Sequence, residues 1–401
     1  MIMKNFNEMK ESYEKNILPT YARYPVAFVK GEGCRLYDTE GKEYIDFASG
    51  VGVNFVGHSH PKWIQAVSSQ AGVLAHTSNL YYTEPGAVLA EKLIRLSGMK
   101  GLLFCNSGAE SVEGAIKTVR KYSSDKYGEN RYTIITLEGS FHGRTMAALT
   151  ATGQEKFHKH FHPFVQGFKY IPPNNLAALE ELADREANKI CALMLEPVQG
   201  EGGVNPLDAE YLQAAAEICK KNDWLLITDE VQTGIGRTGE WFAFQNYGIQ
   251  PDVLCFAKGI AGGMPLGGFM LGEKAHKTLG AGDHGTTYGG NLVCCAAALA
   301  VLEILEPVLP SVKEKGAYIC KKIAEMNLPQ VKEIRGQGLM IGIKLEGIKL
   351  EGIPHTEAVA KLLAAGLVTL PAGADVLRLL PPLTIEMDDI NKGLGILKAI
   401  L

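Results

Sequence analysis

The sequence has no surplus of positive charge: 40 Lys and Arg stand against 44 Asp and Glu over 401 residues, a formal net charge of −4. The isoelectric point is near 6.2. Without a basic field there is no electrostatic footprint for nucleic acid or an anionic membrane, so a small anionic ligand has to be met by individual Arg or Lys side chains. Long apolar runs are also missing. The longest, 292–302, stops at Glu303, well short of the roughly 20 residues that span a bilayer, and reads as a buried alanine-rich helix. Residues 1–12 alternate charged and apolar side chains and contain no apolar segment of the secretory kind, which leads us to expect a soluble, cytoplasmic protein. None of the 8 cysteines belongs to a Cys-x-x-Cys pair, and most lie in apolar runs, as reduced core thiols do.

What is present is the text of an ordered globular chain, 46% hydrophobic and 21% charged, long enough for two or three structural units. Residues 5–18 can form a helical arm ending at Pro19. From 26 to 49 the pattern changes to short strands with tight turns at Lys30-Gly31-Glu32-Gly33 and Asp38-Thr39-Glu40-Gly41, an antiparallel meander. Strands then alternate with helices. Residues 102–105 precede a helix starting near Glu110, 132–137 precede the loop 139–144, and 190–195 run into Glu196-Pro197. A helix over 209–221 is followed by a strand, 224–228, that ends on Asp229. Such alternation predicts an α/β fold, a mostly parallel sheet with helices on both faces. After about 306 helices mix with short strands, including 339–345 and 376–380. We therefore expect a large domain over 56–305 and a smaller α+β domain built from 1–55 and 306–401. A tandem pentapeptide, Ile-Lys-Leu-Glu-Gly at 343–347 and again at 348–352, has an odd period. Its copies would face opposite sides of one strand, so the second is read as loop.

The apolar run 253–257 ends on Lys258 and is followed by Gly259, Gly262 and Gly263. A strand of that kind is buried on both faces, and ligand crevices in parallel sheets open beyond the carboxyl ends of the strands. Asn106-Ser107-Gly108-Ala109 lies between a strand and a helix, where free N–H groups and the helix dipole suit a phosphate, although the same text serves as ordinary loop. Asp229 delivers a carboxylate to the same sheet edge. It could pair with a protonated pyridine nitrogen, or be an N-cap or one half of a structural ion pair. Phe141-His142-Gly143-Arg144 offers a ring to stack on a flat cofactor and a guanidinium to hold a carboxylate, or else a core Phe and a surface Arg. A lysine, an acid, an aromatic ring and a helix-start phosphate seat at neighbouring strand ends together specify pyridoxal phosphate better than any other cofactor.

With these residues in place the chain resembles the class III (subgroup II) pyridoxal-phosphate aminotransferases of fold type I. The matching text runs in family order over nearly the whole chain: Ser78 to Pro85, Asn106-Ser-Gly-Ala-Glu110, Phe141-His-Gly-Arg144 with Thr150 to Glu155, Glu196-Pro-Val-Gln-Gly-Glu-Gly202, Thr228 to Gly234, Ala257-Lys-Gly259 and Thr286 to Asn291. The resemblance implies that Lys258 carries the cofactor, Asp229 pairs with its ring nitrogen and Gln232 contacts its ring hydroxyl. Ser107, Gly108 and Ala109 would hold the phosphate, Phe141 would stack on the ring, and His142, Glu230 and Val231 would be further cofactor contacts. Thr287 would reach the phosphate across a homodimer interface. Arg144, with Thr286 beside it, is similar to a clamp for the substrate carboxylate, and Arg378 to a second clamp paired with Glu201.

The activity implied is transfer of the terminal amine of N2-acetyl-L-ornithine to 2-oxoglutarate, a step of arginine biosynthesis. Succinylornithine, succinyl-diaminopimelate, ornithine and 4-aminobutyrate are the alternative donors. Two unlike substrates sharing one site suggest a charge switch, Glu201 masking Arg378 for the amine and uncovering it for 2-oxoglutarate, because a buried guanidinium without a partner is penalised by several kcal/mol. Gly234-Ile-Gly-Arg-Thr-Gly239 matches Gly-x-Gly-x-x-Gly, the text of a nicotinamide dehydrogenase. Asp229 to Thr233 intervene after the strand, however, and no strand-ending acid follows about twenty residues on. His158, His160 and His162 could share one face, but no nearby carboxylate or cysteine completes a shell, so no metal is expected.

Overall fold

The computed structural model describes residues 5–346 and 355–401. The second pentapeptide copy, and with it the loop expected there, lies outside the described residues. A helix, Phe6–Asn16, is capped by Asn5, whose side chain accepts from the Glu8 amide. Three antiparallel strands follow, β1 (Phe28–Glu32), β2 (Arg35–Asp38) and β3 (Glu43–Asp46). The first turn is shifted from its expected place. Lys30, Gly31 and Glu32 pair in register with Tyr37, Leu36 and Arg35, leaving Gly33-Cys34 as the turn. Gly31 is glycine for another reason: a Cβ there would lie 2.7 Å from the His58 side chain. At the second turn Asp38 accepts from the amides of Glu40 and Lys42.

The large sheet contains β4 (Gly101–Cys105), β5 (Thr133–Leu137), β6 (Phe168–Ile171) and β7 (Ile190–Leu195). After the short pair β8 (Val198–Gln199) and β9 (Asn205–Pro206) it resumes with β10 (Leu225–Asp229), β11 (Val253–Phe256) and β12 (Gly267–Leu271). Its order is β4-β12-β11-β10-β7-β5-β6, with β12 antiparallel to both neighbours and the remaining pairs parallel. Every residue of β7, β10 and β11 is buried. Their side chains alternate between two cores. Leu226 and Leu193 join one with the helices Glu84–Ser97, Ala209–Asn222 and Leu292–Leu305; Leu225, Ile227 and Met194 join the other with the helix Gly108–Tyr127. A sheet covered on both faces needs continuous apolar strands, which is what these segments are; each fully buried leucine contributes about 1.5–3 kcal/mol. The helix expected near Glu110 begins at Gly108, because the Ser107 hydroxyl accepts from the Glu110 amide as N-cap.

Toward the carboxyl terminus come β13 (Val331–Gln337), β14 (Met340–Leu345), β15 (Leu367–Val368), β16 (Leu370–Ala372) and β17 (Val376–Leu379). Four of them form an antiparallel sheet in the order β13-β14-β17-β16, while β15 pairs parallel with β3, so segments from both ends of the chain share one sheet. Between β3 and the helix Pro61–Val73, the residues Ser49, Gly50, Val51 and Gly52 all have left-handed φ (49°, 60°, 67° and 71°). Asp46 holds this turn by accepting from the Ala48 and Ser49 amides, and its other oxygen meets His58 Nε2 at 2.7 Å. Leu380 and Leu383 donate to the carbonyls of Phe47 and Phe55, fastening the turn to the end of β17. Among the described residues no single helix is long and apolar enough to cross a membrane.

Candidate active site

The carboxyl ends of β4, β5, β7, β10 and β11 open onto one cavity of about 420 Å³. Its wall is formed by 106–109 after β4, 141–144 after β5, Glu196 after β7, Asp229, Val231 and Gln232 of β10 and the residues after it, and Lys258 after β11; Val53 and 263–266 complete it. The sheet brings side chains far apart in sequence to one edge, as parallel topology does.

Lys258 adopts φ +48°, a left-handed conformation unusual for a side-chain-bearing residue and characteristic of functional positions. Burial pulls its ammonium pKa below the ordinary lysine value, with Glu201 opposing and Arg378 reinforcing the shift. The neutral amine, which is the reactive form, is thereby favoured.

Asp229 Oδ2 lies 2.7 Å from His142 Nδ1, and Oδ1 accepts from the Val231 amide. Burial works against a charged His142, but the hydrogen bond and charge of Asp229 prevail and its pKa stands above the ordinary histidine value. Glu196 accepts from the Phe141 amide; burial pushes its carboxyl up to about 7, His142 opposing and Asp229 adding to the shift. Asp229 therefore belongs to a buried cluster of three titratable groups. Glu230, expected among the cofactor contacts, is turned away from the cavity. Its carboxylate accepts from the amides of Ala243 and Phe244 and the Thr233 hydroxyl, and burial raises it to about 7.

These shifts fix a pH dependence. A carboxyl whose pKa is higher folded than unfolded favours folding most below its unfolded value, 4.5 here, and that stability is lost as pH rises through about 7. His142, also raised, loses stability as pH rises above the ordinary histidine value, in the same direction. The denaturant midpoint of the protein should therefore fall between about pH 5 and about pH 8, corresponding to about 2 kcal/mol or more. Lys258, whose lowered pKa acts in the opposite sense, is untouched in Glu230→Gln, so a profile falling as steeply in that variant as in wild type would contradict the burial of Glu230.

At the start of the helix Gly108–Tyr127, Glu110 folds back to accept from the Asn106 amide and side chain, and the amides of Gly108 and Ala109 are first-turn donors without an intrahelical acceptor. A Cβ on Gly108 would lie 2.7 Å from Val231 Cγ1, so only glycine lets the helix start approach the wall this closely. These residues fit pyridoxal phosphate. The first-turn amides form an anion seat, Phe141 and Val231 are two apolar walls, Asp229 is a fixed carboxylate and Lys258 is an amine held toward its neutral form.

Arg144 is exposed at the cavity wall, its guanidinium 4.3 Å from the Phe157 ring centroid and 5.5 Å from that of Phe141. Arg378, on β17, is only 2% exposed, and its NH1 donates to Glu201 Oε1 at 2.7 Å and to Gln232 Oε1 at 2.8 Å. Burial raises the Glu201 pKa, but the charges of Arg378 and Lys258 outweigh it and leave it below the ordinary carboxylate value. The pair joins the cavity through Gln232, which lines it. Thr286 accepts from the Asn106 side chain and Thr287 is exposed; neither lines this chain's cavity.

Glu196 entered the sequence reading only as motif text and not as a site residue, although it directly follows β7 much as Asp229 closes β10, a signal that could have singled it out. The Gly-x-Gly-x-x-Gly text opens no helix. It crosses to the carboxyl-terminal part, where the fully buried Arg237 donates to the carbonyls of Leu339 and Pro381 and lies 4.2 Å from the Phe55 ring centroid. In the histidine-rich stretch, His158 meets the Leu149 carbonyl through Nε2, and the His158 and His162 rings pack on Phe164.

Comparison with known proteins is in keeping with this geometry. The family model for class-III aminotransferases matches residues 18–401. The chain is similar to the acetylornithine aminotransferase of Haemophilus ducreyi, 48% identical over 396 residues that cover 98% of each chain. Among solved structures it is similar to the acetylornithine aminotransferase of Elizabethkingia anophelis, with a TM-score of 0.88, 33% identity and 99% of each chain covered. It is also similar to the ornithine aminotransferase of Toxoplasma gondii, with a TM-score of 0.93, 30% identity and 100% of this chain and 95% of that one covered, described with PLP at partial occupancy in the active site.

Proposed function

Since this chain belongs to the class-III aminotransferases, pyridoxal-phosphate enzymes of fold type I, we propose that it transfers the terminal amino group of N2-acetyl-L-ornithine to 2-oxoglutarate. The products are N-acetylglutamate 5-semialdehyde and L-glutamate. The observation that carries this reading is the pair of guanidiniums beside one cavity, Arg144 exposed at the wall without an ion pair among the described residues and Arg378 neutralised by Glu201. A site with one carboxylate clamp open and one masked suits an amine-ended donor and a dicarboxylate acceptor in turn.

Gly108 and Ala109 would hold the cofactor phosphate with Ser107 beside them. Phe141 and Val231 would flank the ring, Asp229 would pair with its nitrogen and Gln232 with its hydroxyl. Pyridoxal phosphate, when bound, supplies an aldehyde and a ring that accepts the electron pair left when a substrate carbon loses its proton. Lys258 would hold the aldehyde carbon, and its amine, favoured in the neutral form by burial, would be the group that carries the substrate proton. Asp229, fixed by His142 and the Val231 amide, keeps its charge aimed where positive charge must be retained. Arg144 grips the donor carboxylate while Glu201 covers Arg378.

The same reading includes a cytoplasmic homodimer in which Thr287 of a second copy completes the phosphate seat. The exposure of Thr287, Leu80 and Tyr82 supports it, and an active monomer in sedimentation would remove it. It also takes 1–55 and 306–401 as one small domain against 56–305, supported by the pairing of β3 with β15. Absorption spectroscopy tests the function. The visible band of the holoenzyme should bleach on adding N-acetylornithine and return with 2-oxoglutarate. A band that ignores acetylornithine but bleaches with ornithine or another ω-amine would reassign the donor.

A further inference from the structure

The amide of Gln232 touches both members of the buried ion pair. Its Oε1 accepts from Arg378 NH1 at 2.8 Å, and its Nε2 donates to Glu201 Oε1 at 3.4 Å, while Glu201 Oε1 also accepts from Arg378 NH1 at 2.7 Å. Only this orientation of the amide serves both neighbours, since the opposite one would set N–H groups against the guanidinium. Arg378 is 2% exposed, and its Nε has no partner among the described residues. When Glu201 moves aside, the Gln232 carbonyl is therefore the acceptor that NH1 retains.

Gly200 fixes the position of that amide. A Cβ there would lie 2.0 Å from Gln232 Oε1, 2.3 Å from Cδ and 2.6 Å from Nε2, so the glycine surface is filled by the amide itself. Gly200 is outside the cavity wall and its φ is not left-handed. A methyl group there would meet the mobile end of a side chain rather than backbone, and the amide would yield before the fold did.

We propose that Gly200 and Gln232 form a latch that keeps Arg378 aimed at the incoming dicarboxylate while Glu201 is displaced. Gln232 is then a specificity-determining residue for the acceptor half-reaction, and Gly200 a positioning residue that acts through it. The inference rests on the two-substrate reading above and adds to it that Arg378 is anchored independently of its mask. In single-turnover measurements on the holoenzyme, Gly200→Ala should raise the 2-oxoglutarate concentration for half-maximal rate about tenfold or more, the effect of one hydrogen bond to a charged group. The N-acetylornithine half-reaction, which shares any change at the cofactor hydroxyl that Gln232 faces, should slow less, so the ratio of the two half-reactions shifts against 2-oxoglutarate. Gln232→Met, which keeps the side-chain length and loses the amide, should move the ratio of the two half-reactions in the same direction. It decides the matter if Gly200→Ala does not fold. Equal effects on both half-reactions, or an unmoved ratio, overturn the latch, whereas a wild-type enzyme that ignores N-acetylornithine overturns the underlying reading instead.

Discussion

Lys258→Ala is expected to lower turnover by about 10⁴-fold or more, because two functions are lost together: covalent attachment of the cofactor, and transfer of the substrate proton, itself worth about 10²–10⁴-fold. Among the described residues Lys258 is the only lysine on the cavity wall, and the other charged groups near it, Glu201, Arg378, Asp229 and Glu196, cannot form its bond to an aldehyde. The substitution should leave the fold intact. Alanine meets the same left-handed φ as the lysine it replaces, so the strain is already present in the native chain. The variant should bind pyridoxal phosphate without a covalent bond and lose it on gel filtration, with a thermal midpoint close to that of wild type. Turnover within about tenfold of wild type would refute the role of this residue.

Glu201→Ala should separate the two half-reactions in the direction opposite to Gly200→Ala. The guanidinium of Arg378 would keep only the Gln232 carbonyl as a partner, and leaving a buried charge uncompensated is penalised by about 3–5 kcal/mol. A dicarboxylate can relieve that penalty, whereas an amine-ended donor cannot. The N-acetylornithine half-reaction is therefore expected to slow about 10²-fold or more, with the 2-oxoglutarate half-reaction changed by less than about tenfold. Rapid mixing with each substrate separately measures both. Equal slowing of the two would mean that Glu201 supports the site without switching it.

Strand ends carried most of what could be read in advance. Apolar runs closing on Asp229 and Lys258 located the sheet edge, because a strand buried on both faces has no other place for a charge. Side-chain direction was not legible. Glu230 is adjacent to Asp229, yet it points away from the cavity to the amides of Ala243 and Phe244, an arrangement set by how the following turn folds. The turn assigned to 30–33 was misplaced because glycine signals both turns and close contacts, and Gly31 serves the second purpose against His58. The partnership of Glu201 with Arg378 was accessible only through resemblance, since no spacing rule links β17 to a loop after β7. Gly200 entered only as one letter of the matching motif 196–202, and only coordinates show that an amide fills the place of its missing side chain.

The pairing of β3 with β15 governs how the chain can mature. Ile45 has its parallel partner at Leu367, near the opposite terminus, so the meander leaves the ribosome early and waits through most of synthesis for the strand that closes its edge. During that interval the edge of β3 is open to pairing with other chains. Losses caused by truncation or slow translation near the carboxyl terminus should therefore appear as aggregation through the amino-terminal strands of the same sheet, far from the defect in sequence.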